Sequence, residues 1–385
     1  MPAAAPANHL RLQNLYFWVY SYVGILGPFL GPYLRSLGLD GRAIGVLGAI
    51  TPIATALIPP LWGAIGDRLG EVTTPLRIAL TGAFLAFLPL PFVSTFWPLF
   101  VTWTLFAVFR SGTGALMESL TFTMLEQRGG LYGRIRLWGS VGFLAASAVV
   151  AIVADLVDDP RVFAVGLVLT QLLAAGSAWA LPKVPRERSV DFFGDLRELL
   201  RNRAFVMLLA VTCLSRMAEA APLLFYPTWL KDQGAPSWYI ALFWATGVLA
   251  EVVLFRLAPQ LVAWARIDRV YLVSIALIAV RYGAMLVVHD RTAVALIQTL
   301  HAFTFAAFYF CGVTTVAKMV PLRLRATGQA LFSALGFGLA IGVSNVLGGL
   351  VFERFHIEGV LMGSVILGLI STVAAIPTAR ALRAA

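Results

Sequence analysis

The chain is a succession of apolar runs of about twenty residues or more, separated by short polar turns. They fall at about 12–34, 43–66, 74–94, 97–125, 133–154, 161–182, 204–230, 237–258, 269–288, 292–317, 324–352 and 358–380. About twenty helical residues rising 1.5 Å each cross a hydrocarbon core of about 30 Å, so each run predicts one transmembrane helix. The fourth run, about 43 Å as a helix, must tilt or protrude. The first is too long for a cleavable signal segment and reads as a span. The longest polar interruption, Lys183 to Arg203, reads KVPRERSVDFFGDLRELLRNR. It is too short for a domain, and its part from Asp191 to Arg203 can lie on the membrane as an amphipathic helix. The expected organisation is an all-α membrane protein with 12 transmembrane helices: a six-helix half over 1–182, a cytoplasmic linker over 183–203 and a second six-helix half over 204–385. Leu131 to Arg136 and Pro321 to Arg325 stand at the same place before the fifth run of each half, which favours two pseudo-symmetric repeats.

Composition sharpens this picture. Of 385 residues 59% are hydrophobic and 12% charged, and the mean hydropathy is +0.85, which no single soluble core could bury. A net charge of +10 would point to nucleic acid in a soluble protein. Here it serves orientation: with both termini cytoplasmic, 20 of the 29 Lys and Arg fall on the cytoplasmic side and 6 on the outer side. The partner implied is the lipid bilayer, and nucleic acid is not expected. Cys213 and Cys311 both lie inside runs, so neither a disulfide framework nor a metal site is indicated.

The informative residues are ionisable groups within apolar runs, because such groups usually mark a substrate or proton path. Residues equidistant from the turn of an antiparallel hairpin lie level with each other. Glu118 and Arg136 share a midpoint at Gln127, inside the turn Glu126 to Gly130, and can meet if their helix faces agree. Glu219 and Glu251 share a midpoint at Ala235, and Arg281 and His301 at Arg291. Three such coincidences point to one polar cavity. A carboxylate in low dielectric answers to a facing arginine or a bound substrate, so protonation and occupancy become linked. Glu251, followed by Val252-Val253-Leu254-Phe255, is the first choice for the titrating group. Plainer roles stand beside these: Arg134 can snorkel to the surface, Arg216 can neutralise Glu219 one turn later, and His301 can bridge helices without titrating. Tyr20 and Tyr22 sit deeper than an interfacial belt and can line a cavity.

Gly63-x-x-x-Asp67-Arg68-x-Gly70, between the second and third runs, resembles the loop signature of the major facilitator superfamily. Gly133-Arg134-Ile135-Arg136 with Glu118, Gly247-Val-Leu-Ala-Glu251, Val280-Arg281 and Thr299-Leu300-His301 resemble the branch that holds the lactose and phenylpropionate permeases. The resemblance covers nearly the whole chain. It implies a transporter fold working by alternating access, usually as a monomer, here in the inner membrane of a bacterium. Glu118, Arg136, Tyr20, Tyr22 and Glu251 are the expected substrate contacts; Glu251, Glu219, Arg281 and His301 the proton-coupling groups; Gly63, Asp67, Arg68 and Gly70 the conformational loop. Three departures stand out. Glu71-Val72 occupies the place of a basic pair, Thr304 that of an acidic residue three positions after the histidine, and Gln298 that of a lysine three before it.

The expected function is proton-coupled symport of a small organic solute: a sugar, a nucleoside or an aromatic acid. No cofactor is expected beyond the coupling proton. The alternatives are a proton-driven efflux antiporter and a membrane sensor or scaffold without turnover. An enzyme is disfavoured, since no His-Glu-x-x-His, Cys/His cluster or Gly-x-Ser-x-Gly is present.

Overall fold

The computed structural model describes residues 6–128, 130–185 and 196–384. Nine helical segments among them are long and apolar enough to cross a membrane, or ten with the bent pair Gly41–Leu57 and Pro59–Leu69 counted as one span. The segment Leu322–Arg380 is two helices meeting at His356, whose φ of 52° breaks the helical path. With that division and with Pro6–Ser36, twelve spanning helices are present among the described residues. They are α1 (Pro6–Ser36), α2 (Gly41–Leu57 and Pro59–Leu69), α3 (Thr73–Phe92), α4 (Phe96–Glu126), α5 (Tyr132–Val157) and α6 (Arg161–Trp179). These are followed by α7 (Arg203–Asp232), α8 (Ser237–Ala265), α9 (Ile267–Val287), α10 (Arg291–Met319), α11 (322–355) and α12 (357–380). The expected amphipathic segment lies partly outside the described residues, but Leu196–Arg201 is a short helix.

The helices gather into two compact units. One holds residues 1–39, 53–190 and 231–241, and the other 40–52, 191–230 and 242–385. In the first, α1 and α5 cross backbone against backbone, as spanning helices do where small residues face each other. A Cβ at Gly142 would lie 2.1 Å from the carbonyl oxygen of Phe17, and one at Gly24 would lie 2.2 Å from that of Phe143. Ser21, buried in the crossing, has its single hydroxyl proton between Phe17 O at 2.8 Å and Gly142 O at 3.2 Å. The core beyond it is mainly aliphatic with an aromatic group within it, where Phe87 stacks on Phe106 at 3.6 Å and Trp103 is tilted against both. In the second unit, α12 closes on α9 at Gly368, where a Cβ would meet Ala279 N at 3.0 Å.

Two spans depart from a regular helical path. Span α4 turns at Ser111-Gly112, between helical stretches Phe96–Arg110 and Thr113–Arg128. Trp62 of α2 packs on Gly112 and donates its indole N–H to the Val108 carbonyl at 3.0 Å, occupying an acceptor near the break. Span α10 tightens to a 3₁₀ turn over Gln298–Leu300 and then widens to a π turn over Ala302–Ala307. Such changes of helical type concentrate at functional sites.

The α1–α5 crossing gives a direct test. Gly142→Leu would drive a side chain into the α1 backbone and should cost about 1–3 kcal/mol or more. The expected result is a lower Tm in detergent and less monodisperse protein. Gly176→Ala, whose Cβ would meet nothing within 4 Å, should leave Tm unchanged or raise it slightly.

Candidate functional site

In the second unit a buried polar cluster forms around Arg281 of α9. Its Nη1 donates to Glu219 Oε1 of α7 at 3.1 Å and to Thr304 Oγ1 of α10 at 3.2 Å, and lies 3.1 Å from His301 Nδ1. Its Nη2 donates to Gln298 Oε1. Gln298, His301 and Thr304 stand at steps of three, which keeps them on one side of α10; the tight turn at Gln298–Leu300 draws the first two together, and Thr304 follows in the π turn. That spacing is why three residues of one helix all reach a single guanidinium. The Gln298 amide completes its bonding by donating to Met285 Sδ at 3.3 Å.

Glu219 is shared between two guanidiniums, since Arg216 Nη1 reaches its Oε2 at 2.7 Å. Arg216 also donates through Nη2 to the Thr304 carbonyl at 2.6 Å, at the π turn where the helical ladder is displaced. Phe308, Phe337 and Phe305 surround its guanidinium, with ring centroids at 4.5, 5.3 and 5.9 Å. Next to Glu219 the hydroxyl of Ser344 on α11 bridges Ala221 N and Met217 O, at 3.2 and 2.6 Å. An unbroken α-helix would pair those two groups directly, so α7 is pinned where its carboxylate must point inward. The plainer reading of Glu219 as the partner of Arg216 is met, with Arg281 added.

The hydrogen-bond roles at His301 follow from its neighbour. A guanidinium has five donors and no acceptor, so Nδ1 facing Arg281 must carry the lone pair. The proton of the neutral ring then sits on Nε2, which lies 3.9 Å from Glu251 Oε2. Gly247, one turn before Glu251, packs against His301 with its Cα facing the ring, which lets α8 come near α10. The Glu251 side chain is 20% exposed, against 2% for Glu219. Two arginines and two glutamates thus share the cluster, and its charges balance with His301 neutral. Arg281 and His301, level in the sequence, do meet; Glu219 and Glu251 are linked through Arg281 and His301.

The first unit carries a second arrangement, built on aromatic rings. Tyr16 and Tyr20 of α1 stack at 6.1 Å, Tyr132 of α5 meets Tyr16 edge-on at 6.4 Å, and Phe122 of α4 stacks on Tyr132 at 5.0 Å. Thr121 donates to the Met117 carbonyl at 2.7 Å, and its hydroxyl lies 3.3 Å from that of Tyr16. The face-to-face meeting of Glu118 with Arg136 does not occur. The Arg136 guanidinium lies over the Tyr20 ring at 4.1 Å, and Glu118, exposed, accepts from the Tyr132 hydroxyl at 3.5 Å. The cause is the rotation of α5: its glycine face is pressed on α1, and Arg136, one turn before Gly139, is carried round to the same side. A Cβ at Gly139 would come within 2.8 Å of Tyr20 and 2.9 Å of Arg136 Nη1, so the absent side chain makes room for the stacking. Tyr20 is half-buried beneath that arginine, whereas Tyr22 is enclosed, tilted against Phe106 at 5.1 Å.

Gly63, Asp67 and Arg68 lie on the second piece of α2, which ends at Gly70 in a left-handed cap with φ of 66° that favours glycine. Glu71, where the superfamily signature has a basic residue, is tied instead to the chain beyond α6. It accepts from Thr74, lies 3.6 Å from Lys183 Nζ, and pairs as a short antiparallel bridge with Pro185. Gln298 and Thr304 were visible in the sequence only as departures from a pattern, yet both hold Arg281. Ser344 and Thr121 carried no signal at all.

A family model described as the MFS_1 like family matches residues 9–360. A maltose permease of Geobacillus stearothermophilus is 27% identical, over 93% of this chain and 91% of the permease. A probable 3-phenylpropionic acid transporter of Escherichia coli is also 27% identical, over 88% and 89%. Among solved structures, the nucleoside transporter NupG superposes with a TM-score of 0.85 at 19% identity, over 98% of this chain and 99% of that one. The twelve-helix architecture and the match along nearly its whole length lead to one conclusion: the chain belongs to the MFS_1 like family and is a multi-pass membrane transporter of the major facilitator superfamily.

Proposed function

We propose that this transporter is a proton-coupled symporter that imports a small organic solute by alternating access, with both termini cytoplasmic in a bacterial inner membrane and the monomer as its working unit. The two moving halves are 1–182 and 204–385, joined by the linker 183–203. Related transporters named for maltose, 3-phenylpropionic acid and nucleosides frame the substrate as a sugar, an aromatic acid or a nucleoside.

The observation that carries the reading is the chain of contacts from Glu219 through Arg281 to His301 and Glu251. Glu219 is committed to two guanidiniums, whereas Glu251 is partly exposed and meets the cluster at its edge, at the His301 ring. Glu251 is therefore the carboxylate placed to exchange a proton, and Arg281 and His301 set when it does so. If Arg281 swings away, His301 Nδ1 is released from a donor and the ring can bind Glu251 or a proton differently. In the first unit Arg136, stacked on Tyr20, and Glu118, held by Tyr132, are the substrate contacts. The loop Gly63, Asp67, Arg68 and Gly70 governs the conformational exchange.

Two experiments test this. Glu251→Gln, reconstituted in proteoliposomes, should abolish accumulation driven by a proton gradient while counterflow of labelled solute continues; unchanged accumulation refutes the assignment. Alkalinisation outside on solute addition marks symport, and acidification outside on solute addition marks antiport. Arg136→Lys keeps the charge but loses the planar group over Tyr20 and should weaken binding roughly three- to tenfold. Wild-type affinity in an equilibrium binding assay removes Arg136 from the site.

A further inference from the structure

The charge balance found in the second unit is missing from the first. Around the tyrosines of α1 stand two guanidiniums, Arg136 and Arg110, and one carboxylate, Glu118. Arg110 is residue 15 of the 31-residue span Phe96–Glu126, half-way through the membrane by length. Its guanidinium lies 5.2 Å from the centroid of Tyr22, and its Nη2 donates to the Val19 carbonyl of α1 at 3.3 Å. Its Nε is enclosed and has no hydrogen-bond partner. Among the described residues no carboxylate pairs with it. A guanidinium with five donors, placed at mid-span with one carbonyl to bond, is a cation short of an anion.

The chain around Arg110 is shaped in the same sense. Span α4 turns immediately after it, at Ser111-Gly112, and its second stretch, Thr113–Arg128, starts there. Thr113 is fully buried, and its hydroxyl has no partner. Gly114 beside it is exposed, and a Cβ there would meet nothing within 4 Å. Interrupted helices whose fresh N-termini meet an anionic substrate group are a recurrent transporter device. Here the break, the unsatisfied guanidinium and the unpartnered hydroxyl are three separate observations at one depth.

We infer that Arg110, with the helix start at Thr113, holds the negatively charged group of the transported solute, and that the solute is a monoanionic aromatic carboxylate and not a neutral sugar or nucleoside. This rests on the reading of the α1 aromatic cluster as the substrate site. The carboxylate supplies the missing charge at Arg110, and the rings of Tyr16, Tyr20 and Tyr132 provide flat apolar surface for the aromatic part.

The test is direct binding to the full-length protein in detergent or nanodiscs, which needs neither flux nor a proton gradient and so stands or falls apart from the symport reading. The probes are phenylacetate, 3-phenylpropionate and cinnamate, each beside its neutral amide of nearly the same shape, with maltose and uridine as neutral solutes. The expected result is ligand-induced stabilisation by at least one acid and not by its amide. Arg110→Gln should weaken binding of that acid about tenfold or more, and Arg110→Lys by less. Equal binding of acid and amide, binding of maltose or uridine alone, or no binding of any acid overturns the inference. Undiminished affinity in Arg110→Gln overturns the role of Arg110. Should Arg110→Gln fail to fold, the acid and amide comparison on the wild-type protein and on Arg110→Lys still decides.

Discussion

A charged group inside a membrane must find its counter-charge and its hydrogen bonds within the protein, and the second unit is organised by that demand. Arg281 is its centre. One side chain binds a carboxylate of α7 and an amide, an imidazole and a hydroxyl of α10, so three helices are held together by a single guanidinium. The local shape of α10 follows from the same demand. At steps of three Gln298, His301 and Thr304 lie about 60° apart on a regular helix and so on one side of it, and the tight turn at Gln298–Leu300 narrows the first step further. The wide turn that follows presents the Thr304 carbonyl to Arg216. Removing any one member would leave a buried polar group without its partner, so the cluster acts as a unit and not as separate bonds.

The two units solve the same problem in different ways. In the second, opposite charges are matched inside the protein, and aromatic rings pack against Arg216 and Arg281 in addition. In the first, the guanidiniums rest on aromatic faces instead: Arg136 on Tyr20 and Arg110 beside Tyr22, with Glu118 held by a tyrosine hydroxyl. A ring quadrupole compensates a cation only in part. The first arrangement therefore leaves its cations only partly compensated, while the second pairs each guanidinium with a carboxylate and has a partly exposed carboxylate at its edge. This division suits a protein in which one region binds and another responds.

Much of the architecture was legible from the residues. The twelve apolar runs correspond to the twelve spanning helices, and two of the breaks around the loop signature fall at Gly70 and Ile58-Pro59. The ionisable residues worth naming were also evident, because lipid tolerates so few that each one stands out. Level pairing across turns brought out Arg281 with His301 correctly. It failed for Glu118 with Arg136, since height along a helix says nothing about rotation around it.

Rotation is what only the tertiary structure decided. The face that α5 turns toward α1 is set where Gly142 meets Phe17 and Gly24 meets Phe143, and that crossing carries Arg136 onto Tyr20 and away from Glu118. The same holds for residues without a signal of their own. Thr304 and Gln298 are unremarkable letters until packing of α10 against α9 brings both to Arg281, and Ser344 is one serine among many until it enters the backbone ladder of α7. Hydrophobic run length is a local property of the chain, so the sequence determined the spans and the stock of buried charges. Which charge meets which partner depends on azimuth and helical pitch, which arise from packing between segments far apart in the chain, and only the folded molecule settles them.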